Sequence, residues 1–321
     1  MSSKNYLITG GCGFIGSNYI NHLYTITTGN IINIDLLTYA ANVNNINNEV
    51  KLSERYKFLK LDLVKHDNIS VLKELIKTYK IDIIIHFAAE THVSSSFIDP
   101  KRHLMTNIIG TYNLLESSKN TAIEQFIHIS TDEVYGESDL KTKKSKTENS
   151  TLEPTNPYAA SKAGAEMLSK SYFYSFKIPI KIVRCNNVYG LNQHVEKVIP
   201  KFISLLKSNK KLTIEGTGLV TRCFIHTQDV NNGINTIIEK GLFNNIYNIG
   251  NSEDEYTIKE LGELLIKYVL NTNNTDAHIN YIPDRLFNDS CYHIDYTKLK
   301  NLGWKPIKKL KDELVEIIKY S

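Results

Sequence analysis

Long apolar runs are missing from this sequence: nothing in its 321 residues approaches the roughly 18–20 consecutive apolar positions that a membrane-spanning helix needs. Its first residues, Met1-Ser2-Ser3-Lys4, lead into a β-rich stretch without the hydrophobic core of a secretory signal, so a cytoplasmic protein with no membrane partner is expected. Cysteine is scarce. Cys12, Cys185, Cys223 and Cys291 stand far apart with no Cys-x-x-Cys pair, which points to reduced, packed residues and indicates neither a disulfide framework nor a metal site. An excess of one charge is also lacking: 38 Lys+Arg against 34 Asp+Glu leave a formal net charge of +4, too small and too dispersed for a nucleic-acid-binding stripe. The densest basic group, Lys141, Lys143, Lys144 and Lys146, sits in a polar stretch without aromatics and reads as a solvated loop. What remains is an ordinary globular composition, 41% hydrophobic. Its length fits two lobes, because single cores stop growing near ~250–300 residues.

Short β-rich runs at 6–9, 31–35, 58–61, 83–87 and 126–129 alternate with helix-length amphipathic runs near 14–25, 68–79, 100–119 and 158–176. The strand runs are continuously apolar, which suits strands covered on both faces and predicts a doubly wound parallel α/β sheet. Pro100 after Asp99 and Pro157 after Asn156 stand where first-turn prolines follow a capping residue. Beyond residue 187 the rhythm loosens into shorter strands at 211–215, 246–249 and 278–282, with helices near 196–208, 228–240, 257–270 and 308–319. The expected division is a first domain over 1–187 and a smaller C-terminal α/β substrate-binding lobe over 188–321, with a segment near 224–245 returning to the first.

After the first strand run comes Thr9-Gly10-Gly11-Cys12-Gly13-Phe14-Ile15-Gly16, leading into a helix. The spacing fits G-x-G-x-x-G through Gly11, Gly13 and Gly16, and equally G-x-x-G-x-x-G through Gly10, Gly13 and Gly16. Glycines suit a tight turn, close approach to a pyrophosphate and helix-on-strand packing, while the helix N-terminus aims free N–H groups at the phosphates. The second strand run ends in Asp35, 19 residues after Gly16, where a carboxylate accepts from a ribose 2′-OH and repels a 2′-phosphate. Asp62-Leu63, ending the third, stands where such folds contact an adenine. Together these predict a Rossmann-type domain that binds NAD in preference to NADP.

In Asn156-Pro157-Tyr158-Ala159-Ala160-Ser161-Lys162, Tyr158 and Lys162 are one helical turn apart on one face. A lysine ammonium beside a phenol lowers the phenol's pKa from ~10 toward a range useful for a base. With Ser130-Thr131 at a strand end, the chain resembles the short-chain dehydrogenase/reductase superfamily in its extended, sugar-nucleotide-modifying form. The likeness runs through residues 9–16, His86-Phe87-Ala88-Ala89-Glu90-Thr91-His92-Val93, Asn107 to Thr111, Tyr158 to Lys162, and Arg184, Asn187 and Tyr189-Gly190. The acids Asp132 and Glu133, where 4-epimerases of the superfamily carry small residues, are similar to the nucleoside-diphosphate-glucose 4,6-dehydratases.

That resemblance implies a hydro-lyase and gives roles to particular residues. Tyr158, with Lys162, takes the C4 hydroxyl proton as hydride leaves C4 for NAD, and Thr131 holds that hydroxyl. Glu133 removes the C5 proton, Asp132 protonates the departing C6 hydroxyl, and the hydride returns to C6. Gly10, Gly13, Phe14, Ile15, Gly16, Asp35, Asp62, Leu63, Ala88, Tyr158 and Lys162 are implied cofactor contacts. Thr91, Asn187, Glu196, Lys197, Arg222, Asn248 and Arg285 are implied on the substrate side, and a homodimer packed through the helices near 100–119 and 158–176 is implied as well. Ser94-Ser95, Glu215 and Asn288 depart from the common bacterial pattern, and the last two leave dTDP-glucose and UDP-glucose both open. A UDP-sugar 4-epimerase or decarboxylase is the alternative that Asp132-Glu133 argues against. A non-catalytic NAD-binding regulator would have no use for Tyr158, Lys162, Asp132 and Glu133 together.

Overall fold

The continuous apolar runs of the first half become strands covered on both faces. In the computed structural model, which describes residues 3–138, 144–284 and 287–320, these are β1 (Tyr6–Thr9), β2 (Ile31–Asp35), β3 (Tyr56–Lys60), β4 (Ile83–His86) and β5 (Gln125–Thr131). After them come β6 (Ile180–Cys185), β7 (Asn187–Tyr189), β8 (Leu212–Glu215), β9 (Thr221–His226), β10 (Ile246–Ile249), β11 (Glu255–Thr257) and β12 (Ile279–Ile282). The main sheet has seven strands in the order β10-β6-β5-β4-β1-β2-β3, and each adjacent pair is parallel. This is the doubly wound α/β sheet expected from the sequence. Its strand order reverses between β1 and β4, and such a reversal opens a crevice at the carboxyl ends of the strands.

Period-two alternation divides β1 between two cores. Tyr6 and Ile8 pack with Tyr19, Ile20 and Leu23 of the helix Phe14–Ile26, whereas Leu7 packs on the opposite face with Leu72, Ile76, Leu114 and Leu115. β6 went unseen in the sequence because Lys181 and Arg184 interrupt its apolar pattern. Both are buried, and both are neutralised or solvated internally. Lys181 Nζ donates to the carbonyls of Ile237 and Ile238, and Arg184 is paired with fully buried Glu166.

The expected helix at 100–119 is irregular. Pro100–Leu104 opens it behind the Asp99 cap, a π-helical turn spans Met105–Ile109, and Gly110–Ser118 completes it. Inside the π turn, Asn107 Nδ2 donates to Ser161 Oγ at 2.8 Å and to the Glu90 carbonyl at 3.0 Å. It thereby ties the helix Pro157–Phe176 to the cleft edge, a use of π turns common near functional sites.

A third core, including Phe202, Ile203, Leu212, Leu261, Leu265, Leu310 and Leu314, builds the smaller lobe. It carries a three-stranded sheet β11-β9-β7 and the pair β12-β8. β10 belongs to the main sheet beside β6, and Val230, Ile234 and Ile237 of the helix Thr227–Lys240 pack into the core under β1. Leu299 and Trp304 join that core from still farther along the chain. Among the described residues no helix is long and apolar enough to cross a membrane. Lys141, Lys143 and Arg285 lie outside the described residues.

Candidate active site

A cleft of about 910 Å³ runs between the lobes along the carboxyl ends of the main-sheet strands. It is lined by Gly10, Gly13, Phe14, Ile15, Gly16, Asp35, Asp62, Leu63 and Ala88 on the sheet side, and by Thr131, Asp132, Glu133, Tyr158 and Lys162 in the middle. Thr91, Asn187, Glu196, Lys197 and Arg222 line the other side.

The glycine turn resolves in favour of Gly10, Gly13 and Gly16. Gly10 has φ +70°, and a side chain there would stand 2.6 Å from the Ala88 backbone nitrogen. A Cβ on Gly16 would come within 2.4 Å of the Gly10 carbonyl, so this glycine lets the helix sit on the turn. Gly11 faces inward, where a Cβ would strike Asn33 and Ile20, and it does not line the cleft. Gly13 differs from all three: its nearest obstacle is the Gly10 carbonyl at 3.3 Å, so the space that a side chain would fill belongs to the cleft. Gly13 is also the N-cap of the helix Phe14–Ile26, with no side-chain cap and no acid in the first turn. The first-turn N–H groups are left for an anion in the cleft. Asp35 accepts from the backbone N–H groups of Cys12 at 2.9 Å and Leu37 at 2.8 Å, which fixes the carboxylate at the cleft wall. Burial raises its pKa and those backbone bonds oppose the rise. The turn, the uncapped helix end and the acid fit a dinucleotide with free ribose hydroxyls.

The carboxyl pair stands just past the end of β5. Thr131 caps the following 3-10 turn, Asp132–Tyr135, its Oγ1 accepting from the Glu133 N–H at 3.3 Å and donating to Asp132 Oδ1 at 3.1 Å. Asp132 is 3% exposed, and its Oδ2 accepts from Asn186 Nδ2 at 2.7 Å. Burial, with the Glu133 charge beside it, lifts the Asp132 carboxyl from 3.8 to about 7. Glu133 Oε2 accepts from Asn156 Nδ2 at 3.1 Å. Burial raises Glu133 as well, but Asn156, Arg222 and Lys197 pull it back. The two carboxyls thus differ in environment: Asp132 holds a proton near neutral pH, and Glu133 faces the cations.

Tyr158 and Lys162 share the cleft face of the helix Pro157–Phe176, as their spacing predicts. The expected lowering of the phenol does not appear. Burial and the Glu133 carboxylate push Tyr158 well above its ordinary value, and the Thr131 hydrogen bond only partly offsets them. Lys162 instead donates to the Ile129 carbonyl at 2.6 Å, and burial pushes its ammonium down to about 8. In the cleft as it stands, the phenol meets two carboxyls and keeps its proton.

On the substrate side, Lys197 Nζ donates to the Thr91 carbonyl at 3.0 Å, and burial lowers its pKa against the pull of Glu196 and Glu133. Arg222 is fixed by the carbonyls of Thr221 and Asp289, at 2.7 and 3.0 Å, and lies 4.9 Å over the Tyr292 ring. Asn187 Nδ2 and Ser130 Oγ are buried without hydrogen-bond partners among the described residues, and both atoms belong to cleft-lining side chains. Buried polar atoms of this kind are ordinarily satisfied, so they mark places for ligand atoms or water.

Asn248, expected on the substrate side, does not line the cleft. It is fully buried in β10, where it accepts from the Tyr135 hydroxyl at 2.8 Å and donates to the Asp295 carbonyl at 2.8 Å. Its position in the main sheet, opposite Arg184, makes it a core hydrogen-bonding residue. Sequence reasoning also missed Asn186, although it adjoins Asn187, and it saw only half of Asn156. The Asn156 side chain caps the helix by accepting from Ala159 N–H at 2.9 Å while its amide holds Glu133.

Residues 7–317 match the family described as GDP-mannose 4,6 dehydratase. The chain is 40% identical over 322 residues to the dTDP-D-glucose 4,6-dehydratase of Bos taurus, covering 99% of this chain and 88% of that one. It is 42% identical over 303 residues to an Arabidopsis thaliana protein, the trifunctional UDP-glucose 4,6-dehydratase/UDP-4-keto-6-deoxy-D-glucose 3,5-epimerase/UDP-4-keto-L-rhamnose-reductase, covering 94% of this chain and 45% of that one. Among solved structures, DesIV, the dTDP-glucose 4,6-dehydratase of Streptomyces venezuelae with NAD and TYD bound, superposes with a TM-score of 0.91 at 34% identity, covering 98% of this chain and 96% of that one.

Proposed function

This chain belongs to the family described as GDP-mannose 4,6 dehydratase, and from that premise we propose that it is an NAD-dependent nucleoside-diphosphate-glucose 4,6-dehydratase. The observation that carries the reading is the pair Asp132, buried, and Glu133, half-buried beside it, both lining the cleft and held by different partners. An enzyme that only oxidises and reduces C4 has no use for such a pair. An enzyme that removes water across C5 and C6 needs both a base and an acid.

Gly10, Gly13, Phe14, Ile15, Gly16, Asp35, Asp62, Leu63 and Ala88 would hold NAD, with the pyrophosphate at the uncapped helix end and Asp35 on the ribose. When bound, NAD would supply the acceptor and later the donor of one hydride. Tyr158, once its own proton has passed to solvent and the phenolate stands on the same helix face as the Lys162 ammonium, would take the C4 hydroxyl proton, with Thr131 holding that oxygen. The resulting C4 ketone acidifies C5–H. Glu133, kept ionisable by Arg222, Lys197 and Asn156, removes that proton. Asp132, holding its proton up to about pH 7, gives it to the C6 hydroxyl, which leaves as water. Closing the sugar between lobes keeps solvent from the 4-keto-5,6-ene.

Arg222, Lys197 and Asn187 would bind the diphosphate and nucleotide, with Arg222 suited to phosphate through its planar fork of donors. Arg285 is assigned to the same group on sequence resemblance alone. dTDP-glucose and UDP-glucose are named for related enzymes, and Glu215 and Asn288 both line the cleft, Asn288 Oδ1 accepting from Arg222 at 3.2 Å. We take NAD binding to be the work of the lobe containing the main sheet, including 227–249, and nucleotide-sugar binding that of the remainder after 188. The enzyme works as a cytoplasmic homodimer in this reading. Met167, Tyr174 and Phe176 are exposed apolar side chains on the helix Pro157–Phe176, which supports that helix as the contact. The test is product mass and kcat/KM with each sugar nucleotide. A product lighter by one water is expected, and a product of unchanged mass from both would refute dehydration.

A further inference from the structure

Behind the cleft wall, on the side away from the substrate, three chemically different donors converge. Cys223 of β9, Glu255 of β11 and His293 offer ligand atoms that all lie within 4.8 Å of one another. None of the three lines the cleft, but their chain neighbours do: Arg222 precedes Cys223, and Tyr292 precedes His293. The arrangement follows from the fold. Glu255 is the direct antiparallel partner of Cys223 in the strand pair β11·β9, which puts both side chains on one face of the sheet. His293 is pinned at both backbone groups, its N–H donating to Ser138 Oγ at 3.0 Å and its carbonyl accepting from Lys146 N–H at 2.8 Å.

We propose that Cys223, Glu255 and His293 form a binding site for a zinc-type transition-metal dication that clips β9, β11 and the 293 segment together behind the cleft. The donor set selects the ion. A thiolate with an imidazole suits Zn2+ and its neighbours in the first transition row, whereas Mg2+ and Ca2+ take oxygen ligands. The charges also balance: thiolate and carboxylate neutralise a dication, and the imidazole binds as the neutral ring. Binding forms three metal–ligand bonds, with His293 ligating through Nδ1 and keeping Nε2–H on Glu255, releases the thiol proton, and leaves a fourth tetrahedral position for water. The groups are already gathered. Cys223 is 2% and His293 8% exposed, and Glu255, less buried, is the way in.

A simple histidine–carboxylate hydrogen bond accounts for only part of this. His293 Nε2 lies 2.8 Å from Glu255 Oε1, but His293 Nδ1 is buried with no hydrogen-bond partner among the described residues. A buried nitrogen without a partner is costly, and ligation through Nδ1 would relieve that cost while Nε2–H keeps its bond to Glu255. The spacing hid the site from the sequence, because its ligands come from separate segments with no Cys-x-x-Cys or His-x-x-His run.

The test is titration of the full-length, chelator-stripped protein with Co2+ and with Zn2+. One equivalent of Co2+ is expected to give the visible bands of a tetrahedral ion with a near-ultraviolet thiolate-to-cobalt transition, and Zn2+ is expected to displace it and raise Tm. Cys223→Ser should abolish the thiolate transition, and Glu255→Gln, at the more exposed ligand, should weaken binding at least about tenfold. Pale octahedral Co2+ spectra, a thiolate transition surviving in Cys223→Ser, or Co2+ affinity unchanged in Glu255→Gln would each overturn the proposal.

Discussion

Asn186 is the residue through which the acid proposed for the elimination, Asp132, can be tuned without touching it. Its Nδ2 donates to Asp132 Oδ2 at 2.7 Å inside the protein, and it is the strongest influence that lowers a carboxyl which burial and Glu133 still lift to about 7. A hydrogen bond to a charged group contributes about 1.5–3 kcal/mol. At ~1.36 kcal/mol per pKa unit, losing it raises Asp132 by about 1–2 units. The sign follows from which form the bond favours: Nδ2–H stabilises the carboxylate, so its removal favours the protonated acid. Asp132 must carry its proton to release the C6 hydroxyl, so the dehydration rate falls as pH rises through its pKa. In Asn186→Ala that basic limb should move from about pH 7 to roughly pH 8–9, while the acidic limb, set by Glu133, stays in place. The assay is kcat/KM for formation of the 4-keto product between pH 5 and pH 10, with Tm measured alongside because Asn186 Oδ1 also accepts from the Asn251 N–H. A basic limb that stays in place, or moves to lower pH, in a variant that remains folded would refute Asp132 as the acid.

Other consequences follow from the same geometry. Asp132 has a folded-state pKa above its unfolded value of 3.8, so ionising it costs stability increasingly from about pH 4 to pH 7 and fully above that. Asp132→Asn should therefore stabilise the fold against urea by more at pH 8 than at pH 4, on the order of a few kcal/mol at the upper end, while dehydration is lost; an equal effect at both would contradict the burial argument. Gly13→Ala should fold with little change in Tm but lose NAD, because the added methyl occupies cleft space, whereas Gly16→Ala should lower Tm because its methyl meets the Gly10 carbonyl; Tm and bound-cofactor measurements separate the two. Glu166→Ala leaves the Arg184 guanidinium buried without its carboxylate, and should cost about 3–5 kcal/mol in urea unfolding.

What could be read from the sequence was what is local along the chain. The glycine turn, Asp35, the Asp132-Glu133 pair and the one-turn spacing of Tyr158 and Lys162 each declare their chemistry within a few residues, and the structure brings them to one cleft. Which three glycines do the work became clear only where a Cβ could be tested against Ala88, Asn33 and the open cleft. β6 was hidden because Lys181 and Arg184 look like surface residues until Glu166 and two helix carbonyls are placed against them. The phenol's upward displacement was invisible for a similar reason. The Lys162 spacing is a feature of one helix, but the Glu133 carboxylate that opposes it arrives from β5, and burial is a property of the whole cleft. Asn248 shows the reverse error, a residue implied by likeness that the main sheet takes for its own hydrogen bonding.

The most direct measurement uses nucleoside-diphosphate-glucose carrying deuterium at C4, converted by the enzyme without added free cofactor and analysed by mass spectrometry and proton NMR. Oxidation at C4, elimination across C5 and C6 and return of the same hydride predict a product lighter by one water with deuterium at C6. A product isobaric with the substrate, or a 4-keto-6-deoxy product without the label at C6, would contradict it.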